Sequence, residues 1–304
     1  MSLEGVAEHC YNITQSYLDL ANQTSIVDET KEAIKLTRDY LLKDIFKRWD
    51  PFSGQISFSY NGGKDCQVLL IVYLSCLWEF FKESIRISQF SLKFQKFPLE
   101  YLPTVYIDQA ETFQTLEDFI ELTKNRYFLS LYESPRNQTS MPQAFRNYLD
   151  LNENTEAIVI GIRHTDPYGE KLKCIERTDS NWPDFIRLQP LLHWKLANVW
   201  SLLLYSGEEL CGLYEYGFTS IGGVNTTRPN PFLKKGPGED NGEAITNHFS
   251  WEISNAYGKA QEDSSVPVTR VSDADLDIIQ KTDDSAYYPG WFLIEDSKER
   301  AGRS

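Results

Sequence analysis

The chain has 304 residues, with 30 Lys+Arg against 44 Asp+Glu, a formal net charge of −14 and a pI near 4.8. Hydrophobic residues make up 41% and charged residues 24%, globular values that exclude wholesale disorder. No cluster of Lys and Arg is present to grip nucleic acid, so a broad nucleic-acid surface is excluded. A small anionic ligand held by a nest of backbone amides remains compatible with this charge.

The amino terminus, MSLEGVAEHCYNITQ, has no basic region followed by an apolar core, so no secretory signal is expected. Residues 1–48 read as two helices. In the second, Ser25 and Asp28 resemble a capping box, and Ala33, Leu36, Tyr40 and Leu41 then share one face. Gln55 to Tyr60 reads as a short strand that ends at the turn Asn61-Gly62-Gly63-Lys64-Asp65. Cys66 to Phe81 is too long for a strand and apolar nearly all round, which predicts a buried helix. The apolar run from Val68 to Phe81, broken by Ser75 and Glu79, is too short to span a bilayer.

Thr104 to Asp108 is a second strand, Thr115 to Phe128 a helix, and Ala157 to Arg163 a third strand apolar on both faces. Phe185 to Leu188 is a fourth, followed by a helix over Trp194 to Tyr205. This alternation predicts an α/β fold with a Rossmann-like, mostly parallel sheet and helices on both faces. N-terminal helices (1–48) precede the α/β core (49–222), and a C-terminal extension (223–304) follows it. Within that extension 234–243 and 261–265 read as loops, and the aromatic stretch Tyr287 to Ile294 is expected to pack back on the body. His193 and the stripe Trp200, Leu203, Leu204 are assigned to structure.

The five cysteines, Cys10, Cys66, Cys76, Cys174 and Cys211, form no C-x-x-C pair and are odd in number. That argues against a zinc site or a disulfide framework, and a cytoplasmic, reducing location is expected.

The sharpest feature is Ser59-Tyr-Asn-Gly-Gly-Lys-Asp-Cys66, set between a strand and an apolar helix. Consecutive glycines let the backbone curl, and the helix that follows turns its free N–H groups to the same point, a geometry suited to a pyrophosphate. It is not a Walker A loop, because Lys64 is followed by Asp65 rather than by Ser or Thr. The plainer alternative is a βα turn in which Gly62 and Gly63 merely allow tight packing. Asp65 and Asp166 suit a magnesium ion, which takes one or two carboxylates. Each also has an ordinary reading, Asp65 as a helix N-terminal charge and Asp166 as a turn residue before Pro167. Arg163 reads as a phosphate clamp at a strand's carboxyl end, or else as a salt bridge at the sheet rim. Asn181-Trp-Pro-Asp-Phe-Ile-Arg187 offers aromatic faces, amides and charges for a flat ligand, or simply core aromatics.

SYNGGKDC resembles the pyrophosphate-loop signature SGGxDS of the adenine-nucleotide α-hydrolase-like group, with Cys66 in place of the final serine. Tyr214 to Gly223 (YEYGFTSIGG) is similar to a segment of the sulfonucleotide reductases, but Gly223-Val-Asn-Thr226 stands where that branch carries cysteines. Five segments in order resemble instead the eukaryotic FAD synthetase (FMN adenylyltransferase) branch: NGGKDC, GIRHTDP (161–167), WPDFIRLQPLLHW (182–194), YGFTSIG and ERAGR (299–303).

The resemblance implies ATP and FMN as substrates, FAD as product, magnesium as cofactor, and no covalent enzyme intermediate. It places ATP at Ser59, Tyr60, Asn61, Gly62, Gly63, Lys64, Asp65, Ile107 and Arg163. The flavin falls to His164, Asn181, Trp182, Pro183, Asp184, Phe185, Arg187 and Arg300, and the metal to Asp65 and Asp166. The reaction itself is expected from Asn61, Asp65, Arg163, Asp166, Arg300 and Arg303, with the ERAGR tail folded over the phosphates rather than frayed. A monomer is expected, with neither nucleic-acid nor membrane partners. The rival functions are an ATP pyrophosphatase that adenylates another acceptor and a non-catalytic flavin- or nucleotide-binding protein.

Overall fold

The computed structural model describes residues 2–21, 24–87, 96–107, 111–135, 140–236, 246–259, 265–283 and 285–304. By density of contacts the chain divides into two units. The first holds Met1–Asn61, Asp65–Gln109 and Leu122–Trp194; the second holds Gly62–Lys64, Ala110–Glu121 and Lys195–Ser304. Among the described residues no helix is long and apolar enough to cross a membrane.

The first unit opens with helices α1 (Leu3–Leu18), capped by the Ser2 hydroxyl, and α2 (Ser25–Asp39). The cap of α2 is Thr24, whose hydroxyl accepts from the Val27 N–H, so the expected Ser25 box is displaced by one residue. Tyr40–Ile45 continues as a π-helical turn into the short α3 (Phe46–Arg48).

The sheet contains β1 (Ile56–Ser59), β2 (Leu102–Tyr106), β3 (Leu129–Glu133), β4 (Ala157–Val159), β5 (Ile175–Arg177) and β6 (Ile186–Leu188). Their order is β3-β2-β1-β4-β6-β5, all parallel except β5, which runs antiparallel to β6. The expected strand Thr104 to Asp108 begins at Leu102, and Asp108 lies outside the described residues. The third expected strand is much shorter than Ala157 to Arg163. It leaves the sheet after Val159, and the His164 N–H bonds the Leu192 carbonyl instead. Leu129–Glu133 and Ile175–Arg177 are strands that apolar patterning does not mark.

Long helices cover both faces. After β1 comes α4 (Lys64–Ile87), 24 residues and thus longer than the expected Cys66 to Phe81, with every residue from Val68 to Leu77 buried. Phe58 of β1 packs on Tyr73 of α4, with ring centroids 5.5 Å apart. Ser57, the adjacent residue and so on the opposite face, accepts the Tyr148 hydroxyl of α6 (Met141–Leu151) at 2.7 Å. On that second face Val105, Phe145, Tyr148, Ile158 and Phe185 form a buried cluster. Between β2 and β3 lies α5 (Gln114–Arg126), and it stops before Phe128, which takes φ 53°.

In the second unit α7 (Leu196–Ser206) begins two residues later than Trp194 and ends at Gly207 in the left-handed region. Trp200, Leu203 and Leu204 are core, as their spacing predicts. Short α8 (Ser250–Ser254) and α9 (Asp273–Thr282) follow. The buried Asp275 of α9 caps the start of α5, accepting from the Thr115 N–H at 2.7 Å and its hydroxyl at 2.6 Å. Trp291 and Leu293 of the aromatic stretch are buried as expected. Much of the loops expected at 234–243 and 261–265 lies outside the described residues.

Candidate active site

In a parallel sheet, ligands gather beyond the strand carboxyl ends where the winding direction reverses. Here the chain winds from β1 outward to β2 and β3, then returns to the other side of β1 with β4, so the reversal lies between β1 and β4. The segments leaving these two strands are 60–65 and 160–169, the two stretches singled out by sequence.

Within the first unit, the start of α4 at Asp65 lies against the segment that leaves β4. A Cβ added to Gly161 would lie 3.1 Å from the Cys66 nitrogen and 3.2 Å from the Asp65 carbonyl oxygen, so β4's exit runs tightly against the start of α4. Arg163, fully buried, places Nε 2.8 Å from Asp65 Oδ1 and Nη2 3.4 Å from Asp166 Oδ1. Asp166 Oδ2 also accepts the Arg163 N–H at 2.8 Å. The turn closes at Gly169, where a Cβ would lie 2.1 Å from the Arg163 carbonyl oxygen. Both ordinary readings are thus realised: Asp166 organises its turn and Arg163 is ion-paired. Neither arrangement removes the carboxylates from solvent, for Asp65 and Asp166 retain 20% and 19% exposure. One buried guanidinium gathers two part-exposed carboxylates at the crevice.

Other expected contacts sort by exposure. Ser59 is half-buried at the end of β1 and Asn61 is exposed. The Tyr60 side chain is buried and its N–H is bonded to the Val105 carbonyl at 3.0 Å. Ile107, just past β2, is half-buried against the second-face cluster. His164 is exposed, its Nδ1 2.9 Å from the Gly169 carbonyl oxygen. The Cys66 thiol is pushed up to about 12 by burial, with the Asp65 charge adding to the effect, so it stays protonated.

The aromatic segment needs correction. Phe185 does not offer a ring face to a ligand: it is 3% exposed and stacks on Phe145 at 5.4 Å within the core cluster. Trp182 packs on the same partner, at 5.8 Å, and stays half-exposed beside the exposed Asn181 and the buried Pro183. Asp184 is exposed and grips Arg177 (Nε to Oδ1 2.5 Å), which holds its carboxyl below the usual carboxylate range. Arg187 lies between Glu176 (3.6 Å) and Asp179 (3.7 Å).

The second unit holds the remaining groups. Gly62 has φ 71°, and a Cβ there would meet Ile120 at 2.8 Å and Leu116 at 2.9 Å, so the glycine bend is demanded by both backbone and space. Lys64 does not point into solvent. Its Nζ forms a buried ion pair with Glu299, and its N–H donates to the Tyr214 hydroxyl at 2.8 Å. The ERAGR tail is pinned, not frayed. Gly302 accepts from the Arg228 N–H at 2.8 Å, and Arg303 pairs with Thr227 and donates to Ser220 Oγ at 3.3 Å. The Arg303 guanidinium lies over Gly222, where a Cβ would be only 2.3 Å from Nη2. Among the described residues neither Arg300 nor Arg303 has a carboxylate partner. Burial and the neighbouring Arg300 charge lower the Arg303 pKa, which marks a locus of unmatched positive charge. Glu299 and Tyr214 escaped the sequence reading as individual residues, although each lies within a quoted motif.

Residues 55–229 match the phosphoadenosine phosphosulfate reductase domain family. Flavin adenine dinucleotide synthase of Saccharomyces cerevisiae is 57% identical over 100% of this chain and 99% of its own length. A probable FAD synthase of Schizosaccharomyces pombe is 33% identical over 72% of the chain and 75% of its own. The crystal structure of Candida glabrata FMN adenylyltransferase with FAD and inorganic pyrophosphate superposes with a TM-score of 0.91, at 53% identity and full coverage of both chains. A second structure of that enzyme, with FMN and the ATP analogue AMPCPP, gives 0.89 at 52% identity. The chain therefore belongs to the FAD synthase (FMN adenylyltransferase) family, a branch of the phosphoadenosine phosphosulfate reductase domain group.

Proposed function

We propose that the chain is an FMN adenylyltransferase, which transfers AMP from ATP to the phosphate of FMN and releases FAD and pyrophosphate. The observation that carries this reading is likeness over the entire chain, at more than half identity, to enzymes whose structures hold FMN with an ATP analogue and FAD with pyrophosphate.

The chemistry suits the groups present. A phosphate oxygen of FMN forms a bond to the α-phosphorus of ATP while the α–β anhydride bond breaks, and the electron pair leaves with pyrophosphate. A phosphate monoester already carries about 1.5 to 2 negative charges at neutral pH, so no base is needed to make it a nucleophile. Catalysis is then positioning and charge compensation. The amides of the 61–65 bend suit the pyrophosphate, and Arg163 in the first unit and Arg300 and Arg303 in the second are each suited to offset phosphate charge. Trp182 is the ring available to the isoalloxazine, with Asn181 and His164 as polar neighbours. The protonated, buried Cys66 supports direct attack without an enzyme-bound intermediate.

Magnesium fits the donor set in a particular way. Among the described residues no group of three His, Cys, Asp or Glu could cage a metal. Two part-exposed carboxylates, Asp65 and Asp166, match an ion that arrives with the nucleotide and keeps most of its oxygen ligands from phosphate and water. Bound there, it would neutralise phosphate charge as a Lewis acid.

Incubation of the purified chain with FMN and ATP labelled at the α-phosphate tests the proposal. Labelled FAD is the expected product. Labelled AMP or another adenylate without FAD would favour a pyrophosphatase, and unconsumed ATP a binding protein.

A further inference from the structure

A lysine in a phosphate-binding turn is expected to present its ammonium group to the anion. Lys64 does the opposite. Its side chain is 2% exposed, its Nζ is paired with the Glu299 carboxylate, itself 5% exposed, and it lies 5.9 Å above the Trp200 ring. Its own N–H is taken by Tyr214, whose ring meets Trp200 edge-on at 5.1 Å. Glu299 is equally fixed: its carbonyl accepts from the Thr219 hydroxyl at 2.5 Å and from Asn230 Nδ2 at 3.3 Å, and Asn230 also holds the Lys298 carbonyl at 2.9 Å. All of these residues lie in the second unit.

Resting on the adenylyltransferase reading, we propose that Lys64 and Glu299 are positioning residues. Their buried ion pair latches the C-terminal tail to the glycine bend, and Lys64 is not a phosphate ligand. Glu299 immediately precedes Arg300 and lies four residues before Arg303, whose charges have no carboxylate partner among the described residues. An ion pair removed from water holds geometry tightly, because parting it would leave two buried charges exposed to a low dielectric. The latch thereby fixes where the two guanidinium groups stand relative to Gly62 and Gly63.

The test is a double-mutant cycle with Lys64→Met, Glu299→Gln and the combined variant, read as kcat and KM for FAD formation. A second readout is the rate at which trypsin cuts after Arg300 in the ligand-free enzyme. Removing one partner of a buried pair is expected to lower kcat/KM by about 10²-fold or more in either single variant, and to speed tail cleavage, because the orphaned charge must leave. The combined variant leaves no orphaned charge but also lacks the latch, so it is expected to be no worse than the poorer single variant while its tail is still cut faster than the parent's.

A phosphate-binding Lys64 gives a different pattern, which would overturn the proposal. The KM for ATP would rise in Lys64→Met, Glu299→Gln would stay near the parent, and the combined variant would be as poor as Lys64→Met. A merely structural pair would lower melting temperature without moving kcat, KM or tail cleavage in the folded protein, and that result also overturns it. Where a single variant does not fold, the combined one decides alone, since a folded combined variant with parental kcat/KM and parental tail cleavage refutes the latch. The cleavage assay needs no turnover, so a parent chain that made no FAD would refute the activity while leaving the latch open to test.

Discussion

Gly222 beneath Arg303 separates activity from stability. A methyl group at position 222 would sit 2.3 Å from Nη2 and 2.4 Å from the guanidinium carbon, whereas ordinary contact begins near 3.4 Å, so the guanidinium must retreat by roughly 1 Å. The obstructing atoms are the far end of a flexible, half-buried side chain, and the fold can yield there without disturbing the core. Gly222 has no left-handed φ, and a Gly→Ala change at such a site stabilises by about 0.4–1 kcal/mol through the unfolded chain. A 1 Å misplacement of a positioned charge costs about 10²-fold in rate. That corresponds to about 2.7 kcal/mol of lost transition-state stabilisation. Gly222→Ala is therefore expected to melt within a few degrees of the parent while kcat/KM falls about 10²-fold. The assay is steady-state FAD formation resolved by chromatography, alongside thermal denaturation of the same samples. Arg303→Ala supplies the control: the combined variant should be no worse than Arg303→Ala alone, because both changes remove one contact. Parental kcat/KM in a folded Gly222→Ala enzyme, or full additivity with Arg303→Ala, would refute the reasoning.

Three further outcomes can be checked directly. Asp166→Asn retains an oxygen for the Arg163 N–H but removes a charge, so FAD formation should fall and half-saturation should move to higher magnesium; an unchanged magnesium dependence would reduce Asp166 to a turn residue. Phe185→Ala opens a cavity in the second-face cluster and should cost about 3–5 kcal/mol in chemical denaturation. Trp182→Ala should instead raise the KM for FMN with little loss of stability, and the reverse pattern would restore Phe185 to the flavin. Burial raises the Glu252 carboxyl above its ordinary range, with the Ser201 hydroxyl bond at 2.8 Å only partly opposing this. The folded state then binds more protons than the unfolded one once pH exceeds the ordinary glutamate value, so Glu252 lowers stability as pH rises through that window. Glu252→Gln should accordingly raise the melting temperature at neutral pH and lose that advantage below the ordinary glutamate pKa. An equal gain at both pH values would contradict this.

The legible parts of the chain were those where burial is total. Cys66 to Phe81 announces a helix because no polar face interrupts it, and Ile56 to Ser59 announces a strand because a glycine turn ends it. Leu129–Glu133 stayed hidden because, as the outer strand beside β2, it alternates weakly and carries Ser130 and Glu133. Ile175–Arg177 pairs along one edge only and is mostly charged. The Ala157–Val159 strand read too long because Ile160 and Ile162 remain apolar after the chain has left the sheet. At the site, residue type revealed which groups carry charge but not where each charge is spent. Lys64 and Arg163 look alike in the sequence, yet each meets a carboxylate more than a hundred residues away or across a turn, and such pairings depend on tertiary structure. Phe185 and Trp182, three residues apart, divide between interior and surface for the same reason.

The two outer strands have a consequence for behaviour in concentrated solution. A parallel sheet whose borders were long, flat and greasy would recruit a neighbour's backbone, and fibrous deposits would follow. Here one border is the three-residue Ile175–Arg177, reversed in direction and bearing Glu176 and Arg177, and the other places Glu133 at its exposed tip. Short length, reversed polarity and side-chain charge each discourage a foreign strand from docking, so the borders of this sheet act as built-in guards against aggregation.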